Sequence, residues 1–63
     1  KMNEEFQTGW MIIDSKQNWL VFTVREFRQD CIDDYIQSKK CTWVDLERLG
    51  YSCKKVKIQL GEN

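Results

Sequence analysis

Three cysteines, a lysine-rich strand and a set of helical carboxylates are the residues of this 63-residue chain whose types could support chemistry. Cys31, Cys41 and Cys53 lie ten and twelve residues apart, with no Cys-x-x-Cys pair and no histidine in the sequence. A zinc site would need all three thiols plus a carboxylate, at spacings unlike those of structural zinc sites, and an odd count does not read as a disulfide framework. The better reading is of reduced thiols packed as small apolar groups. Cys53 stands beside Lys54 and Lys55, whose charges would lower its pKa, but a cysteine nucleophile also needs a base, and the usual imidazole is missing. The neighbours Asp33 and Asp34 point about 100° apart on a helix and cannot converge on one substrate as an acid–base pair. No glycine-rich phosphate loop occurs in the sequence. An enzyme is therefore the least expected class, and no cofactor or metal is expected.

Two kinds of binding are left. The first is protein recognition: three tryptophans in so short a chain match the aromatic and arginine enrichment of interface cores. Its candidate residues are Trp10, Trp19 and Arg28, with an acidic helix face of Glu26, Asp30, Asp33 and Asp34. The second is nucleic-acid binding, with Tyr51 stacking on bases and Lys54, Lys55 and Lys57 meeting phosphates. Ten basic and ten acidic residues cancel, which removes the usual electrostatic argument for a DNA or membrane-surface protein. Lysines on a strand also serve to keep a sheet edge from aggregating. Protein binding is thus the preferred reading, and nucleic-acid binding the second.

The elements that must position these residues follow from period and punctuation. Trp10–Ile13 and Trp19–Val24 are rich in β-branched and aromatic residues and flank the turn-forming Asp14-Ser15-Lys16-Gln17-Asn18, which predicts a β-hairpin. Both strands are apolar on both faces, so one face covers helices and the other needs a further cover, from Phe6, the second helix or another molecule. A homodimer is accordingly a second expected partner. Thr23 and Glu26 match a capping box, predicting a first helix from there to about Ser38 with the apolar stripe Val24, Phe27, Cys31, Ile32, Tyr35 and Ile36. Arg28 falls inside that stripe, its stem packed on the sheet and its guanidinium reaching water, an indole or a partner's anion. Thr42 and Asp45 form a weaker capping box for a second helix with Trp43, Leu46 and Leu49 inward, and Gly50 supplies the left-handed residue that ends it. Alternation then marks a last strand, with Val56, Ile58 and Leu60 expected toward the helices and Tyr51, Cys53, Lys55 and Lys57 on the open face.

The order β-β-α-α-β predicts an α+β domain with a three-stranded sheet and two helices packed on one face. A chain this short leaves a marginal core, burying only about 60% of the surface its unfolded form exposes. Residues 1–63 read as one small domain, with 1–8 as a flexible arm. Lys1 ahead of Met2 reads as a remnant of expression, with Met2 the natural start. No apolar run is longer than the four residues of Trp10–Ile13, far below the roughly 20 residues a membrane span needs, so a soluble, intracellular protein is expected.

With these elements in place, GWMIIDSKQNWLVFTV, REFRQDCIDDYI and TWVDLERLGYSCKKVKIQL together resemble a set of small accessory proteins encoded by bacteriophages and prophages. The likeness spans residues 9–60 and is one of pattern: a hairpin around an Asp-x-x-x-Asn turn, an arginine-containing helix, Thr-Trp, and Gly-Tyr-x-Cys-x-Lys-Val. It implies a non-enzymatic protein of the bacterial cytoplasm that binds a host protein as an inhibitor or adaptor, including the blocking of host defence. It brings no assigned functional residues.

Overall fold

The hairpin forms, but its two strands do not keep register, and that irregularity shapes the molecule. A computed structural model describes residues 6–59. Strands β1 (Phe6–Ile13) and β2 (Trp19–Arg25) lead into helix α1 (Arg28–Ile36), followed by α2 (Trp43–Arg48) and β3 (Ser52–Gln59). The sheet is antiparallel in the order β2-β1-β3, so β1 is central and the others are edges. The fold is the expected α+β arrangement. Residues 6–8, expected in a flexible arm, are the first three of β1; the rest of that arm, and Leu60, lie outside the described residues.

Asp14 holds the hairpin turn. Its carboxylate accepts from the backbone N–H of Lys16 (2.9 Å) and Asn18 (2.8 Å) and from the Asn18 amide (3.0 Å). The backbone closes around it through Gln17 N to Asp14 O and Asp14 N to Asn18 O, leaving a three-residue tip with Gln17 at φ 69°. A type I turn followed by one left-handed residue is a common short hairpin connection. The hydrogen bonds, that from the Asn18 backbone foremost, hold the Asp14 carboxyl below its usual pKa.

Beyond the turn β2 departs from β1. Ile12 pairs with Leu20 and Trp10 with Arg25, so two steps along β1 face five along β2 and three residues are surplus. The chain accommodates them in a wide bulge. At its centre the buried Ile12 N–H donates to the Thr23 hydroxyl at 2.9 Å instead of to a carbonyl, and that hydroxyl donates to Leu20 O at 2.6 Å. The Cys31 thiol donates to Thr23 O at 3.3 Å, and the Arg25 guanidinium donates to Phe22 O and Val24 O.

This arrangement overturns the expected start of the first helix. The Thr23 hydroxyl belongs to the sheet and cannot cap, Glu26 lies in the bend after β2, and α1 begins at Arg28 behind Phe27, which makes no side-chain cap. It also ends at Ile36, two residues short of the expected limit. The second helix follows its end signals closely, although Leu49, expected inward, is exposed. Asp45 N donates to Thr42 Oγ1 and Thr42 N to Asp45 Oδ2, completing a reciprocal box. At the other end Gly50 N reaches Glu47 O and Tyr51 N reaches Leu46 O, the paired bonds of a Schellman cap, with Gly50 at φ 105°.

The core is small: Ile12 from β1 and Cys31 and Ile32 from α1, ringed by Trp10, Leu20, Tyr35, Trp43, Tyr51 and Cys53. Because directly paired residues share a face and neighbours alternate, the Ile12–Cys53 pair turns Tyr51 and Cys53 toward the helices. Val56 and Ile58 then point to the opposite face, which reverses the phase expected for β3. They meet Gly9 there: a Cβ on Gly9 would lie 3.0 Å from Arg25 O, 3.2 Å from Ile58 Cδ1 and 3.4 Å from Val24 Cγ1, so the missing side chain lets Val24 and Ile58 close over the strand.

The Thr23 hydroxyl is the test of the bulge. Thr23→Val leaves the buried Ile12 N–H without an acceptor and should lower unfolding stability by about 1–3 kcal/mol, whereas Thr23→Ser should lose far less. For a domain this size each kcal/mol shifts Tm by roughly 4–8 °C, so thermal denaturation resolves the two variants.

Candidate partner-binding surface

The bulge governs which side chains reach solvent. Trp19, Val21 and Phe22 on β2 and Phe27 at the entry to α1 are 70%, 67%, 74% and 60% exposed. Four large apolar residues within nine positions, on an edge strand and its exit, are thus left uncovered, Trp19 on the face away from the helices and Phe22 beside α1, and exposed apolar side chains in such number mark interaction sites. Behind Phe22 lies a cleft of about 370 Å³ between the bulge and α1, walled by Thr23 and Arg25 on one side and by Asp34 and Tyr35 on the other, with Lys39 beside them. Arg25 Nε meets Asp34 Oδ2 at 2.7 Å across it. Both side chains are about half-exposed, so this pair orients the cleft wall and contributes at most about 1 kcal/mol.

The structure separates the protein-binding candidates. Trp19 pairs with Ile13 on the face away from the helices and is open to solvent, whereas Trp10 is on the helix face and packs against the core. The two indoles cannot act together, and Trp10 is a structural residue. Glu26, Asp30, Asp33 and Asp34 are all exposed, but Asp34 is engaged by Arg25, and Asp33 accepts from Gln29 Nε2 at 2.9 Å. Glu26 and Asp30 have no such engagement among the described residues. Arg28 opens α1, exposed to solvent, and its charge is felt at Cys53 across the sheet.

Of the nucleic-acid candidates, Tyr51, Lys55 and Lys57 share the helix-facing side of β3 and Lys54 does not. Tyr51 is half-buried with its ring centroid 6.3 Å from that of Tyr35, and the Lys39 ammonium sits 4.3 Å above the Tyr35 ring. Burial, followed by the Tyr51 neighbour, pushes the Tyr35 hydroxyl's pKa up. Lys55 and Lys57 follow the Cys53 face, and Lys54 takes the other. The Lys57 ammonium stands 4.5 Å over the Phe6 ring. A stacking aromatic flanked by three lysines, as an open-face reading of β3 requires, is not assembled.

Val21, Phe22 and Phe27 were not among the residues singled out in the sequence, although the signal was present. An expected strand of four residues, Trp10–Ile13, against one of six, Trp19–Val24, leaves two residues for a bulge or an overhang. Phe27, expected in the inward stripe of the first helix, precedes that helix and is exposed.

All three cysteines are free thiols: Cys31 is buried, and Cys41 and Cys53 are partly so. Among the described residues no group of three or more cysteine and carboxylate side chains could hold a metal. Burial above all, followed by the neighbouring Cys31 thiol, pushes the Cys53 pKa up from 9.0 to about 12. The opposite effect was expected from its lysine neighbours, but Lys54 points to the other face, and the inward turn of Cys53 decides the sign. Compared with family models, with curated proteins and with solved structures, the chain matches none.

Because a raised thiol pKa favours the neutral folded form, this contribution to stability is full below pH 9.0 and is lost as pH rises toward about 12. Cys53→Ala should flatten the alkaline limb of a stability–pH curve. Iodoacetamide at pH 8 should leave Cys53 unmodified in the folded chain and alkylate it after denaturation, as read by peptide mass.

Proposed function

We propose that this chain is a non-enzymatic accessory protein of the phage type that binds a bacterial host protein in the cytoplasm, as an inhibitor or adaptor, through the bulged face of β2. The observation that carries the reading is the display of Trp19, Val21, Phe22 and Phe27, each at least 60% exposed, on a backbone whose carbonyls are tied down by Thr23, Cys31 and Arg25. Aromatic anchors on a rigid platform lose little conformational entropy on binding, which is the economy of protein-recognition surfaces. The cleft behind Phe22 adds the Arg25–Asp34 pair and Lys39 as polar groups at the rim of an apolar strip, the usual distribution at an interface. The phage setting and the host partner rest on the sequence resemblance; the binding surface rests on exposure and geometry.

Affinity capture from nuclease-treated bacterial lysate tests this. Wild-type chain should retain a protein partner, and Trp19→Ala or Phe22→Ala, folded by circular dichroism, should weaken the purified complex by about 2 kcal/mol each, roughly thirtyfold in Kd. Trp10→Ala should lower Tm and is no test of binding. Sedimentation of the free protein distinguishes a host partner from a second copy, since a dimer dispersed by Phe22→Ala would mean that the strip is self-complementary. Capture of nucleic acid alone, or capture indifferent to both exposed aromatics, overturns the reading.

A further inference from the structure

The two edges of the sheet are finished differently. On β2 the register breaks and the carbonyls of Leu20, Phe22, Thr23 and Val24 accept from the chain's own side chains, so that edge is irregular and offers no straight ladder to another strand. On β3 the pairing with β1 is unbroken from Ser52 to Gln59, and its outer edge has no strand partner among the described residues. Lys54, Lys55, Lys57, Ile58 and Gln59 are exposed along it. A straight edge of this kind presents alternating N–H and C=O groups, the template for strand addition.

The side chains determine which strand fits. Lys55 and Lys57 lie on one face and Val56 and Ile58 on the other, and the strand contains no acidic residue. A second copy of β3 centred on Val56 would set Lys55 directly against Lys57, a destabilising cross-strand pair. The charge that repels this partner attracts a strand with carboxylates in those places. We infer that residues 54–59 of β3 are a strand-addition site for an extended segment of another protein in which carboxylates, opposite Lys55 and Lys57, alternate with apolar residues, opposite Val56 and Ile58. A nucleic acid is served less well, because Lys54 faces away from the other two lysines and Tyr51 is packed inward. The site is separate from the β2 strip and does not depend on the function proposed for that strip.

The probe is the acetylated and amidated peptide Thr-Val-Glu-Val-Glu-Val-Thr, titrated into the isotope-labelled full chain while backbone amide shifts are followed. Shifts should concentrate in β3, and affinity should fall with added salt. Lys55→Gln with Lys57→Gln should raise Kd about tenfold. Trp19→Ala, which disables the other surface, should leave the peptide's Kd unchanged. Methylating alternate peptide nitrogens gives two further probes: one set points at β3 and should abolish binding, the other points away and should bind like the parent. The proposal is overturned by any of four results: no shifts at millimolar peptide, equal binding of a peptide with the same composition in unalternated order, equal binding of both methylated sets, or displacement of the peptide from β3 by a single-stranded oligonucleotide at lower concentration.

Discussion

The structure depends on one hydrogen bond, from the buried Ile12 N–H to the Thr23 hydroxyl. Ile12 is the centre of the core and sits on the central strand, where its N–H cannot reach water. Three surplus residues in β2 carry away the carbonyl that a regular ladder would have offered. A hydroxyl is both donor and acceptor, so Thr23 can accept from Ile12 and at once donate to Leu20 O, bridging the gap that the bulge opens. Valine has the same shape but lacks that capacity. For a chain of this length total stability is about 3–9 kcal/mol at typical per-residue values, so one orphaned buried donor costs a sizeable fraction of the whole.

The bulge then sets the place of everything after it. Its carbonyls face α1 and receive Cys31 Sγ and the Arg25 guanidinium, and Arg25 in turn holds Asp34. These bonds dock α1 without an N-terminal side-chain cap, whose absence costs a helix about 1 kcal/mol. Local propensity is overridden here by tertiary contacts, as is common for short helices whose stability comes mainly from packing. The second helix shows the reverse balance. With six residues and only Leu46 buried, it is fixed by local devices at both ends, the Thr42–Asp45 box and the Gly50 cap.

This contrast explains what was legible in the sequence. The turn at Asp14, both ends of α2 and the start of β3 are encoded in short-range chemistry, and each could be read from two or three residues; the order of elements followed from them, but the strand order did not. The start of α1 could not, because Thr23 followed by Glu26 is the same string whether the hydroxyl caps a helix or patches a sheet, and the choice lies with Ile12, eleven residues away. The phase of β3 was hidden for a similar reason. Alternation divides a strand into two sets without saying which is inward, and the more apolar set, Val56 and Ile58, is accommodated on the far face because Gly9 leaves room there. Of the candidate site residues, Trp19 lies on the proposed surface, while Trp10 and Tyr51 serve the core. An exposed aromatic and a core aromatic look identical until register is known.

The uneven treatment of the sheet's two edges is the remaining step. A small three-stranded sheet has two edges to protect, and both protections cost something: a bulge gives up ladder hydrogen bonds, and a lysine row accumulates like charge. On β2 the lost ladder bonds are replaced by Thr23, Cys31 and Arg25, and three large apolar side chains, Trp19, Val21 and Phe22, are exposed on that backbone. On β3 the ladder groups stay available and charge does the protecting, with Lys55 and Lys57 on the face that α1 does not reach along its full length. Solubility alone would be met by lysines on both edges. An edge that exposes Trp19 and Phe22 beside an irregular ladder gives up solubility for apolar surface, and it is this trade that the proposed partner-binding role would account for.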